Sequence, residues 1–300
     1  MNITPTNIST LNAASVTIWN RGASLYTPIA DRICHRATTT TGSVVLGWMG
    51  AMPAMRPFVK EIEKVAIATN KWEISTEQWG VGWDIPKLAI MRDTYGEYAP
   101  MFEQNGLLSR VHPDKLLVER LVAGMSEVDY TGSAFFAASG KKHATGVSAG
   151  AFGNKSTKQL TSTYFGQAIA GLGKILSPDK TPFNLAQKYV LICGEDNRAA
   201  AEDILAVETL STGGKNKYYN RAELIVTPFI TGNHWFLANV GMPMKPMVIV
   251  DEIPISFTAQ TDPQSENVFR CEAFSYKSYG VMTVNYGLPQ LIWGSTGADA

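Results

Sequence analysis

Gly146-Val147-Ser148-Ala149-Gly150 carries the Gly-x-Ser-x-Gly spacing in which a strand, a tight turn and a departing helix lift a nucleophilic serine above a sheet. The flanks do not supply those elements. Lys141-Lys142-His143-Ala144-Thr145 precedes the motif and Ala151-Phe152-Gly153-Asn154 follows it, which reads as a small-residue loop. A serine hydrolase using Ser148 is therefore the alternative from the enzyme class and not the leading reading. Gly166 to Lys174 resembles a phosphate loop, but Leu172 intrudes and Ile175 stands where a magnesium-binding hydroxyl is required. Its small residues suit close packing of a helix. His35, His112, His143 and His234 share no helical or hairpin ligand spacing, and the adjacent Cys34 and His35 point apart on either a helix or a strand. His112 reads as a helix cap and His234 as a strand-end residue. No catalytic, cofactor-binding or metal-binding residue is expected.

The elements that would have to position any site are well supplied with apolar residues. The chain has 300 residues, 45% hydrophobic and 17% charged, which permits one or two packed domains and excludes global disorder. Lys plus Arg equals Asp plus Glu at 26 each, so there is no basic domain to grip nucleic acid by counterion release. Any contact with DNA must be local, weak and non-specific. Three dispersed cysteines, Cys34, Cys193 and Cys271, argue against a disulfide framework and fit a reducing compartment. Neither a signal peptide nor an apolar run of about twenty residues is present, so no membrane role is expected.

The most informative stretch is Gly47-Trp48-Met49-Gly50-Ala51-Met52-Pro53-Ala54-Met55-Arg56-Pro57-Phe58, which sets costly apolar side chains among Gly and Pro. Trp72, Ile74 and Thr76, then Trp79, Val81 and Trp83, follow in strand-like alternation with one slip. Together they read as a long β-excursion whose arm reaches about 50 Å at about 3.3 Å per residue and so needs another surface to lie on. Trp48, Met49, Met52, Met55 and Phe58 are the expected intersubunit anchors, because Met adapts to uneven partner surfaces. Trp235 and the pair Phe135-Phe136 are expected in the core.

Elsewhere, residues 1 to 42 read as an arm with a short helix around Ala23 to Arg36. Asp93 to Met125 carries helical spacing, with a break or bend predicted near His112-Pro113. Residues 126 to 158 read as loop. Leu160 to Ile175 and Asp196 to Leu205 are predicted helices. Lys188 to Cys193, Ala222 to Phe229, His234 to Asn239 and Pro246 to Val250 are predicted strands of one α/β layer with a mixed sheet. Ile255 to Phe257, the turn Thr261-Asp262-Pro263-Gln264, and Val268 to Asn285 read as a long β-hairpin.

Leu46 to Arg56, Trp72-Glu73-Ile74, Asp93-Thr94-Tyr95-Gly96-Glu97-Tyr98-Ala99-Pro100, His112-Pro113-Asp114, Phe135-Phe136 with His143, Asn216 in the Gly213-Gly214 loop, and His234-Trp235-Phe236-Leu237-Ala238 resemble, in that order, the Mu-like prophage major head subunit family. The resemblance spans about Val44 to Gly297. It implies an α+β Hong Kong 97-like capsid fold: an N-terminal arm (1–42), an extended β-loop (43–84), a spine helix and peripheral domain (85–158), an axial domain (159–250), and return strands with a C-terminal segment (251–300). It implies a structural protein of a tailed-phage head that self-assembles into hexamers and pentamers of an icosahedral shell around double-stranded DNA. Trp48, Met49, Met52, Met55, Phe58, Trp72 and Trp79 are then expected at subunit interfaces, and Asp262 and Pro263 near a threefold contact. A separate scaffolding protein, a portal and decoration proteins are the implied partners, the scaffold because the chain opens on the arm without a long charged helical leader. The alternative within the shell class is a nanocompartment enclosing protein cargo, since fold alone does not fix contents.

Overall fold

The computed structural model describes residues 5–46, 72–92, 96–143, 150–177, 180–209, 213–262 and 264–299. Trp48, Met49, Met52, Met55, Phe58, Ser148 and Pro263 lie outside them. In chain order the elements are α1 (Pro5–Ser24), α2 (Ala30–Ile33), β1 (Cys34–Thr38), β2 (Ser43–Leu46), β3 (Trp72–Ser75), β4 (Glu77–Pro86), α3 (Lys87–Arg92) and α4 (Ala99–Ala123). There follow β5 (Lys155–Lys158), α5 (Ser162–Gly173), β6 (Tyr189–Cys193), α6 (Arg198–Leu205), β7 (Ala222–Val226) and β8 (Trp235–Asn239). The chain closes with β9 (Met247–Gln260), α7 (Glu266–Cys271), β10 (Ala273–Tyr286) and β11 (Ile292–Asp299).

Among the described residues three sheets form, in the orders β1-β9-β10-β4, β5-β11-β8-β6-β7, and β2-β3. In the five-stranded sheet, β7 runs parallel to β6 and β8 antiparallel to it, so the expected mixed sheet is present. Every residue of β6 and β8 is buried, as a strand covered on both faces requires. Their alternation sends Val190, Ile192, Phe236 and Ala238 into one core with α4 and the four-stranded sheet. Leu191, Cys193, Trp235 and Leu237 enter a second core under α5 and α6. Phe135 and Phe136 are buried in the first of these, as expected.

Five readings change. The first 42 residues hold a twenty-residue helix, α1, and the Ala23 to Arg36 stretch instead contains its end, a turn, the four-residue α2 and the start of β1. The Ser, Thr and Asn content hid this helix because its stability comes from tertiary packing and not from propensity. Second, α4 runs unbroken from Ala99 to Ala123 with Pro113 inside it and His112 in mid-helix, not at a cap. Pro113 costs the helix one donor, but Leu116, Leu117 and Leu121 just beyond it are buried in the main core and hold that turn in place.

Third, Met247 to Val250 belongs to the four-stranded sheet: β9 continues to Gln260 and pairs with β1 and β10. The place of that fourth predicted strand in the α/β layer is taken by β11, antiparallel to β8, and β5, from the stretch read as loop, adds a further strand parallel to β11. Fourth, Glu266 to Cys271 is helix α7, and β10 begins only at Ala273 after Glu272 in a left-handed conformation. Fifth, the slip in the Trp alternation at Thr76 is a change of sheet. Trp72 to Ser75 pairs with β2, whereas Glu77 to Pro86 pairs with β10. Thr76 holds the junction, donating its backbone N–H to Gly42 O at 2.9 Å and its hydroxyl to Glu252 Oε2 at 2.5 Å.

Candidate assembly surfaces

The root of the β-excursion is the ladder Ser43–Ser75, Val44–Ile74, Val45–Glu73 and Leu46–Trp72. Leu46 and Ile74 are buried with Tyr130, Val248, Val250, Leu288 and Leu291, so the root is nailed to the body. Leu46 and Trp72 form the last pair, and both ends of the 47–71 stretch therefore leave from one point. The Trp72 ring packs on the same cluster, and its Nε1 is buried with no partner among the described residues.

Trp79 serves its own chain. Its indole N–H donates to Met282 O at 3.1 Å, and its ring meets His112 edge-on with centroids 4.6 Å apart. Trp83 likewise sits among Phe102, Phe257 and Tyr276. The alternation thus turns Trp79, Trp83 and Ile85 toward α4. At the far end of the β9–β10 hairpin, exposed Asp262 caps the turn: its carboxylate accepts from Gln264 N at 2.9 Å and its carbonyl from the Ser265 hydroxyl at 2.7 Å. Beyond it, Phe269 on α7 is 79% exposed. Sequence reasoning missed Phe269, because it read that segment as strand, and missed exposed Leu108 on α4 because helical spacing alone does not say which apolar face is covered.

Buried polar contacts lock these surfaces in place. Asp114, on α4, accepts from the Tyr26 hydroxyl at 2.7 Å, Ile29 N at 2.9 Å and Ala30 N at 2.7 Å, tying α2 and the turn before it to the long helix. Burial pushes its pKa up against the opposing pull of those donors. Lys141 and Asp129, both with fully buried side chains, pair at 2.8 Å, and Lys141 Nζ also donates to Ala134 O at 2.6 Å. Burial lowers the Lys141 pKa, and the Asp129 charge opposes that. His143 Nε2 donates to Gly150 O at 2.9 Å while its Nδ1 faces Gln290 Nε2 at 3.1 Å.

Enzymic geometry does not gather around the tempting motifs. Ser148 itself lies outside the described residues; the first element after Gly150 is β5, where a nucleophile elbow needs a helix. Gly166 to Gly173 lies within α5, where a Cβ at Gly166 would overlap the Tyr218 hydroxyl and one at Gly171 the Trp293 ring. The glycines admit those two rings. Among the described residues no group of three or more His, Cys, Asp or Glu side chains could hold a metal ion, and no helix is long and apolar enough to cross a membrane.

A long helix laid on a sheet with an extended hairpin, beside an α/β layer and a separate two-stranded root, is the architecture of capsid shell proteins of the Hong Kong 97-like fold. The chain is similar to the procapsid protein of bacteriophage JBD30, with a TM-score of 0.59 and 18% identity over 98% of this chain and 76% of that one. It is similar also to the virus-like particle of Pyrococcus furiosus, with a TM-score of 0.58 and 10% identity over 95% and 99%. The chain belongs to the Mu-like prophage major head subunit gpT family, whose model matches residues 8–155, 140–230 and 231–298. It is 27% identical to the Mu-like prophage FluMu major head subunit of Haemophilus influenzae over 52% of this chain and 48% of that protein. It is 26% identical to the major capsid protein of Escherichia phage Mu over 35% of each. The matched regions thus span about half or less of those two relatives.

Proposed function

We propose that this chain is a major head subunit of a Mu-like phage or prophage, building hexamers and pentamers that close into an icosahedral shell around double-stranded DNA. The observation that carries the reading is the excursion root: one ladder, buried at Leu46 and Ile74, holds both ends of the apolar, Met-rich 47–71 sequence at one point of the body. Such a stretch lies over a neighbouring subunit, with Trp48, Met49, Met52, Met55 and Phe58 as its anchors and Trp72 at its foot. Trp79 acts by holding β4 to α4. The five-stranded layer is the axial domain around fivefold and sixfold axes, α4 and the four-stranded sheet form the peripheral domain, and the Asp262–Pro263 turn meets threefold neighbours.

Each contact is weak alone, and closed symmetry multiplies them. Packaged DNA touches the wall weakly, as a chain of zero net charge allows. A scaffolding protein, a portal and decoration proteins are its partners, the subunit works in the virion head, and assembly takes place in the host cytoplasm. Size-exclusion chromatography with negative-stain electron microscopy tests the reading. Rings, tubes or closed shells are expected. A folded species that stays monomeric at high concentration, even with the other head proteins co-expressed, would count against it.

A further inference from the structure

In the four-stranded sheet β4 is the terminal strand, paired with β10 on one side and, among the described residues, with no strand on the other. Sheet edges are usually blunted by lysine, proline or a bulge. Here the register with β10 runs from Glu77 to Pro86 without a shift, no lysine occurs, and the only proline is the final residue. Gly80, Val81 and Gly82 are all exposed, Val81 by 51%. Around Val81 the strand reads Trp79-Gly80-Val81-Gly82-Trp83, the same in both directions.

We propose that β4 pairs antiparallel with β4 of a second copy, with Val81 on the twofold axis. The inference rests on the shell reading above and names one of its contacts between copies. A twofold contact sets each residue opposite its mirror position, so a palindromic strand is self-complementary. Trp79 then faces Trp83 of the second copy, Gly80 faces Gly82, Gln78 faces Asp84 and Glu77 faces Ile85, and no carboxylate opposes another. Two sheets become one through main-chain hydrogen bonds.

The glycines point the same way. A Cβ at Gly80 or Gly82 would meet its own chain only at 3.4 or 3.5 Å, an ordinary contact, and neither residue has a positive φ. Nothing in the described fold requires glycine there, whereas a neighbouring strand gains the room. On the other face, the groove between β4 and α4, about 320 Å³, is lined by Trp79, Val81, Leu108, His112 and Ile255. Leu108 is 58% exposed. Pairing lays the second copy along this groove and covers Val81 and Leu108 together.

The test uses the full chain carrying Cys271→Ser, which removes the exposed cysteine and leaves the buried Cys34 and Cys193. Val81→Cys, assembled and mildly oxidised, is expected to give a disulfide-linked dimer on a non-reducing gel. Val128→Cys, at another exposed position, is expected to give none. Shells without a Val81→Cys dimer overturn the pairing and leave the shell reading standing; the dimer without shells supports the pairing and counts against the shell. Val81→Lys, which opposes two ammonium groups across the axis, is expected to lose the assembled fraction while the melting temperature of the monomer holds, and Val81→Ile to keep it. Wild-type assembly by Val81→Lys would also overturn the pairing.

Discussion

Gly106 of α4 faces the backbone of Trp19 on α1 so closely that a Cβ there would overlap the Trp19 carbonyl oxygen. Gly22 on α1 meets the Glu103 carbonyl in the same way, so the two helices touch backbone to backbone at both glycines. The Trp19 indole N–H seals the contact, donating to Asn105 Oδ1 at 2.8 Å and Ser278 Oγ at 3.1 Å. Gly106→Ala must push α1 off, at about 1–3 kcal/mol of overpacking. Urea unfolding followed by Trp fluorescence is expected to show the lower midpoint, and an unchanged midpoint would mean that α1 does not pack on α4 in solution.

Asp114 satisfies three donors from the segment that joins α1 to β1. Asp114→Ala strands two buried amides and a hydroxyl and is expected to cost about 3 kcal/mol, while Tyr26→Phe, which removes one donor and leaves the carboxylate its two amides, costs about 1 kcal/mol. Chemical denaturation of both variants checks the ordering; equal losses would show that the amides have other partners.

The Lys141–Asp129 pair predicts a non-additive cycle. Breaking a buried pair from one side leaves an uncompensated charge, so Lys141→Met and Asp129→Asn alone are each expected to cost about 3–5 kcal/mol. The double variant is expected to lose less than the sum of the two. Additive losses in a double-mutant cycle would show that the two side chains act independently.

Acid sensitivity follows from two histidines. Burial lowers the pKa of both His112 and His143 below the ordinary 6.5, with Lys115 adding to the effect on His112 and the Gly150 carbonyl opposing it on His143. The unfolded chain therefore takes up protons first, and the stability these groups contribute is present above pH 6.5 and lost as pH falls from there toward the folded-state values. Melting temperatures read stepwise down from pH 7.5 are expected to decline below about 6.5. The slope should flatten in His112→Gln/His143→Gln, and an unaltered slope would assign the acid sensitivity to carboxylates.

Local pattern was enough for some of this protein. The buried strands around Leu191 and Leu237 and the helix over Gly166 to Gly173 with its small-residue contacts followed from composition and periodicity, because burial on both faces and close helix packing are written into consecutive residues. The family was legible too, from the order and spacing of many short motifs. What tertiary structure alone decided were pairings between residues far apart in the chain. Trp72 and Trp79 belong to different sheets although they read as one strand, because register depends on which partner strand arrives, β2 or β10. Pro113 stays within a continuous helix, and polar-looking α1 is a helix at all, because buried contacts from Leu117, Leu121, Trp19 and Gly106 outweigh local preference. That β4, among the described residues, has a strand on one side alone was also invisible beforehand, since only the assembled sheet shows where its strands run out.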